Sequence, residues 1–189
     1  MAVITCGLEE ILNPDTCNDR GGIFEIYWTE YNNIDWATML ADPLQFDPTN
    51  QQILDYEMVG GATFNRLTFQ RKEAYYEFTY TGEQDFYQIL VTMALKGKDR
   101  DRRNKLMSAI QCCNVYLHIY ENNGGQRAVG VDYNGEVFRD LLDTLHISRH
   151  LDAGGQLGTS KGRDEVDFGG EAFFAPLFAN VPVANIPLV

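Results

Sequence analysis

The stretch that most constrains this chain is short: residues 114–135. Val115, Leu117 and Ile119 alternate with Tyr116, His118 and Tyr120, a period of two that sorts side chains onto the two faces of an extended strand. Asn122-Asn123-Gly124-Gly125 follows, and both residue types tolerate the positive φ of a tight reversal, so the chain turns back into residues 126–133. Asn134-Gly135 offers a second turn at once. Reversals this close together commit the chain to antiparallel sheet.

The rest of the pattern extends that frame. Residues 23–31 (IFEIYWTEY) read as the first strand, with Phe24, Ile26 and Trp28 on an apolar face and Glu25 and Thr29 opposite. Residues 62–70 and 74–80 flank Arg71-Lys72-Glu73 and predict a hairpin, whose second strand aligns Ala74, Tyr76, Phe78 and Tyr80. Residues 86–95 fit either period; strand is preferred because the charged turn at 96–99 then separates them from a better helix. That helix is expected over residues 99–111, with Leu106, Met107, Ala109 and Ile110 inward and Asp99 and Asp101 near the positive end of its dipole. Further strands are expected over 145–151 and 165–175. The sum is a single mainly β domain over residues 1–189, a β-sandwich or partly rolled barrel with one principal flanking α-helix. Around it lie an N-terminal arm (1–22), a long irregular segment (32–60) and an apolar tail (176–189). Left exposed on a monomer, that tail is a liability, so it is expected to dock on its own domain or on a neighbour.

Charge narrows the function. The 189 residues carry a net charge of −12, which argues against a protein that grips nucleic acid through counterion release or adheres to anionic membranes. The sign is unevenly distributed. Residues 1–60 hold eleven carboxylates against one base, Arg20, whereas 96–105 hold Lys96, Lys98, Arg100, Arg102, Arg103 and Lys105 against two carboxylates. Separation of this kind points to contacts between copies.

Enzyme chemistry finds little support. Gly158-Thr159-Ser160-Lys161-Gly162 matches G-x-S-x-G, but no apolar strand feeds it and no histidine follows Ser160. His146 and His150 have helical metal spacing, yet the residues between them read as well as strand, which puts the rings on one face roughly 13 Å apart. His118 lies mid-strand among aromatics, where a packed ring is expected. Cys6, Cys17, Cys112 and Cys113 lack zinc-ligand spacing and read as reduced thiols, with a Cys6–Cys17 bridge left open. No catalytic residue, metal or cofactor is expected. No leader or apolar run of spanning length is seen, so synthesis in a cytoplasm is expected.

The order of parts then becomes informative. An aromatic-apolar strand (FYQILVTMAL), a charged link opening a short helix (KDRDRRNKLMSAIQ), a strand (VYLHIYE), an NNGG turn, an apolar strand (AVGVDY) and a late glycine-rich segment (DAGGQLGTSKGRDEVDFGG) together resemble phage tail tube proteins. The nearest likeness is to the major tail structural proteins of phages of Bacteroidetes-type bacteria, whose leader the opening ITCGLEEILNPDTCNDRGG also resembles. The likeness covers most of the chain and leaves 32–60 and the C-terminal tail largely outside. It implies a virion protein assembled as six-fold rings that stack into a hollow tail tube. Inner sheets of neighbouring subunits join there into one barrel, which removes exposed sheet edges. The implied partners are further copies of the chain, other tail proteins, and DNA passing without specific binding, which an acidic lumen favours by repelling phosphates.

Two sets of residues become candidates on that reading. The cations Lys96, Lys98, Arg100, Arg102, Arg103 and Lys105 are a candidate subunit interface facing carboxylates of a neighbour; a solvated helix start is the alternative. Trp36, Met39, Leu40, Leu44 and Phe46 are candidate ring-stacking anchors within 32–60; an internal flap over the sandwich is the alternative. Other classes also fit the composition. Another ring-forming tail component, such as a terminator, connector or crAss-like ring protein, is separated by copy number. A small carbohydrate-binding β-sandwich is separated by staying small in solution.

Overall fold

Alternating apolar residues are realised as two packed sheets, antiparallel but for one parallel pair in the larger. The computed structural model describes residues 22–69, 74–81, 86–96, 115–140, 146–153 and 163–189. Its strands are β1 (Ile23–Glu30), β2 (Phe46–Asp47), β3 (Gln52–Ile53), β4 (Asn65–Thr68), β5 (Ala74–Thr81), β6 (Phe86–Lys96) and β7 (Val115–Glu121). β8 (Gln126–Val129), β9 (Val131–Tyr133), β10 (Phe138–Asp140), β11 (His146–Ala153), β12 (Arg163–Ala172) and β13 (Leu177–Ala179) follow. A seven-stranded sheet has the order β2-β3-β13-β8-β7-β1-β4, and a four-stranded sheet has the order β11-β12-β6-β5. β9 and β10 form a separate hairpin.

The first core lies between the two sheets. Ile26, Leu117 and Ile119 from the large sheet meet Val91, Met93, Val166 and Phe168 from the small one, all buried. Trp28, Tyr76 and Phe78 pack against this cluster from its margins. Tyr76 of β5 also donates to Glu121 of β7, which ties the sheets together at one side.

A second core lies on the opposite face of the seven-stranded sheet. Tyr27, Tyr116 and Ala128 point there and are covered by residues of 32–60, by the β9–β10 hairpin and by the C-terminal tail. Both faces of β7 are thus buried, and the whole run Val115 to Ile119 is shielded from water. A strand covered on both sides has no solvent face for polar residues. Glu25 and Thr29, the polar side of the first predicted strand, are accordingly buried as well.

Segment 32–60 is an ordered cover. Asp35 accepts from the Thr38 amide and so caps α1 (Trp36–Ala41), a helix too short to stand alone that is held by Trp36 and Met39 packing inward. Trp36 donates from Nε1 to the Tyr31 carbonyl at 2.9 Å and stacks on Tyr31 with ring centroids 5.0 Å apart. Phe46 meets Tyr133 and Phe138 edge-on at 4.8 and 4.7 Å. The apolar tail docks on its own domain: β13 pairs with β8 and, in parallel, with β3, and Phe64 donates to the Pro187 carbonyl at 2.7 Å.

Several expectations change. The hairpin around residues 71–73 does not form, because β4 pairs with β1 in one sheet while β5 pairs with β6 in the other. The turn chemistry there marks a crossing between layers. Phe24 is half exposed, since an irregularity in register between Ile23 and Glu25 turns Ile23 into the core in its place. Gly130, at φ 104°, breaks the expected strand 126–133 into β8 and β9. Tyr80 is 54% exposed, beyond the end of the face that Ala74, Tyr76 and Phe78 share. The helix expected over 99–111, the arm 1–21, all four cysteines and the 158–162 motif lie outside the described residues.

Candidate assembly surfaces

The four-stranded sheet has long strands of 8, 11, 10 and 8 residues in β5, β6, β12 and β11. β5 and β11 are the two edges of this sheet, each paired on one side only among the described residues. Exposed edges of this length are templates for pairing with another chain. One face of the sheet fills the first core, and the other carries side chains that water accepts. Register sorts that outer face into rows: Thr79, Gln88 and Glu171; then Glu77, Leu90 and Gly169; then Tyr75, Thr92 and Asp167. Glu77, Thr79, Gln88 and Glu171 are exposed. Arg149 stands across from Asp167 in register, and Lys96 across from Arg163 in the last row, so cations are placed at one end and one edge of this face.

β11 carries an irregularity between Ile147 and Arg149. The Ser148 hydroxyl there donates to the Asp167 carbonyl at 3.0 Å, and a side chain at Gly169 would meet Ser148 at 3.1 Å. This bulge corrects the placement of the two histidines. His146 is in register with Gly169 and His150 with Val166, positions on opposite faces of the sheet. No cluster of three His, Cys, Asp or Glu with metal-holding geometry occurs among the described residues.

The stacking anchors expected in 32–60 are mostly unavailable. Trp36, Met39 and Phe46 are buried in the second core, and Leu40 packs against its margin. Only Leu44 stands free, at 78% exposure. The internal-flap alternative describes these residues; the sequence could not decide, because apolar residues in a loop look the same whether they anchor inward or outward. Of the cationic set, only Lys96 falls within the described residues, as the last residue of β6; Lys98, Arg100, Arg102, Arg103 and Lys105 lie outside them.

Polar groups concentrated in the second core are structural. Tyr56 shares hydrogen bonds of 2.6 Å with the Tyr116 hydroxyl and with His118 Nδ1. His118 is fully buried, and burial drives its pKa from 6.5 down to about 3, so it is neutral. Its Nε2 has no hydrogen-bond partner. Burial pushes Tyr56 and Tyr116 well above the ordinary phenol range, and Tyr120 up to about 12. Glu25 accepts from Tyr27 and pairs with Arg66, which leaves neither oxygen free for chemistry.

A further surface had no signal in the sequence. Phe173 and Phe174 directly follow β12 and are 73% and 42% exposed. Both of their amides donate to the buried carboxylate of Asp132, each at 3.1 Å. Burial pushes the Asp132 carboxyl upward, and the two amides draw it back. No helix among the described residues is long and apolar enough to cross a membrane. No family model, curated protein or solved structure matches the chain.

Proposed function

We propose that this chain is a virion structural protein, the subunit of six-fold rings that stack into a hollow tail tube for DNA passage. The observation that carries the reading is the four-stranded sheet, with long strands, two unpaired edges among the described residues, one face in the core and one polar face. A sheet of that kind is stable when its edges meet those of its neighbours. Joining β5 of one copy to β11 of the next turns four strands from each of six copies into a closed barrel. With strands about 4.8 Å apart and tilted by about 40°, that barrel measures roughly 50 Å across its backbone. The inner wall is then the face bearing Glu77, Glu165, Asp167 and Glu171 among Thr and Gln residues. Carboxylates in the middle rows repel phosphates, while Arg149, Lys96 and Arg163 temper the field at the edge and end. DNA passes such a wall without being held. The cationic residues Lys98, Arg100, Arg102, Arg103 and Lys105 are assigned to contacts with a neighbouring subunit of the same ring.

Edge joining is tested by placing cysteines at Tyr75 in β5 and Ser148 in β11 and bridging them with a short bis-maleimide. The double variant should give a ladder of covalent species ending at six copies, beyond whatever the parent protein and each single variant show. Covalent dimers alone, or no ladder, would remove the barrel from the account.

A further inference from the structure

The two ends of the four-stranded sheet differ in chemistry. At one end, Ala172 is in register with Tyr87, and Tyr87 with Tyr80; Phe173 and Phe174 follow immediately. Tyr80 is 54%, Phe173 73% and Phe174 42% exposed, and Glu171 is exposed in the next row. At the other end, the last row places Lys96 across from Arg163, one row outside Asp152 and Asp164. The aromatic residues and glutamate in the rows at one end are complementary in kind to the lysine and arginine in the row at the other, because a cation is drawn to an aromatic face as well as to an acid.

The aromatic end is also held in place. Asp132 is 4% exposed, and its carboxylate is spent on the amides of Phe173 and Phe174. Burying a carboxylate is costly unless its hydrogen bonds are made. Here those bonds fix the backbone of two outward-facing phenyl rings, and a loop fixed in advance loses little entropy when it is covered.

We propose that this aromatic rim, led by Phe173 and Phe174, is where a second copy of the chain seats in the next ring, through the cationic end of that copy's four-stranded sheet. The assignment rests on the ring-and-tube reading and replaces Trp36, Met39 and Phe46 as stacking anchors. Size explains why the partner is a ring and not a lone subunit. Aromatic side chains of this kind cover roughly 150–250 Å² each when fully buried, so the exposed parts of the two rings amount to about 200 Å² per copy. That is far below the ~800 Å² per partner of a stable pair, whereas six such contacts made together reach about 1,200 Å² on each ring face. Contacts running from one end to the opposite end do not close on themselves, so they propagate as a filament.

The test compares the full-length protein with Phe173→Ser/Phe174→Ser and with Lys96→Glu/Arg163→Glu, by negative-stain microscopy and sedimentation velocity. The parent should form stacked tubes, and both variants should stop at single rings with unchanged near-ultraviolet circular dichroism. If the double serine variant fails to fold, Phe173→Ser alone carries the test, with tubes at least tenfold shorter expected. Variant tubes of parental length would overturn the stacking assignment and leave the ring reading intact. A parent that stays monomeric would overturn both. Flotation of the parent with phosphatidylcholine vesicles, lost in the serine variant, would assign the rim to a lipid surface and overturn the proposal.

Discussion

Phe46 and Leu44 sit two positions apart in one segment and have opposite environments. Phe46 is 1% exposed among Tyr133 and Phe138, so Phe46→Ala should cost about 3–5 kcal/mol in urea unfolding. Leu44, at 78% exposure, should change stability by less than about 0.5 kcal/mol when replaced by Ser. Equal effects would mean that 32–60 does not cover the sheet as described. His118 makes a pH-dependent prediction. In the unfolded chain it takes up a proton as pH falls through 6.5, but burial delays this in the folded chain until about 3. Between those values the unfolded state holds the extra proton, so the stability present at neutral pH is lost as pH falls, by at most about 1.4 kcal/mol per pH unit. Asp35 and Asp47, held below the usual carboxylate range by hydrogen bonds from Thr38 and Asn50, lose stabilisation in acid as well. The difference between parent and His118→Gln, followed by chemical unfolding from pH 7 to pH 4, isolates the imidazole. An identical acid response in the two proteins would place His118 in contact with water.

The C-terminal strap carries the prediction at the scale of elements. Val181 and Ile186 are buried, the Val181 amide donates to Gln126 at 2.8 Å, and the Val181 carbonyl accepts from Tyr120. Removing residues 180–189 takes away the buried side chains of Val181 and Ile186, whose burial is worth about 1.5–3 kcal/mol each, and uncovers the aromatic face beneath them. Lower thermal stability and strong binding of a hydrophobic dye are expected; an unchanged melt would show that the strap is dispensable. Sequence made the strands legible where one face alternates, as in β7, and where turns carry Asn-Gly, as between β9 and β10. It was less informative about layers. Glu25 and Thr29 read as the polar side of their strand, and alternation is the same whether that side meets water or a second core. The crossing from β4 to β5 read as a hairpin because charged turn residues do not reveal which sheet the next strand joins. The Phe173–Phe174 rim gave no sign because its rigidity comes from Asp132, distant in sequence and brought close only by the fold.

At the scale of the whole molecule, asymmetry is the main feature. A large sheet whose central strand β7 is covered on both faces supports a smaller one with two unpaired edges among the described residues and one polar face, and the end rows of that smaller sheet differ, with Tyr87 and Tyr80 at one end and Lys96 and Arg163 at the other. On the ring-and-tube reading proposed above, a ring uses the edges of this sheet and a stack uses its ends. Part of the acidic excess falls on the inner wall on this reading, where Glu77, Glu165, Asp167 and Glu171 repel passing DNA while the cations serve contacts between subunits. Cryo-electron microscopy of the purified full-length protein, concentrated at moderate ionic strength, tests the central claim most directly. Six-fold rings stacked into tubes are expected, with a wall that is a continuous barrel of β5, β6, β12 and β11 from each copy; a population of compact monomers with no rings at any concentration would overturn the ring reading.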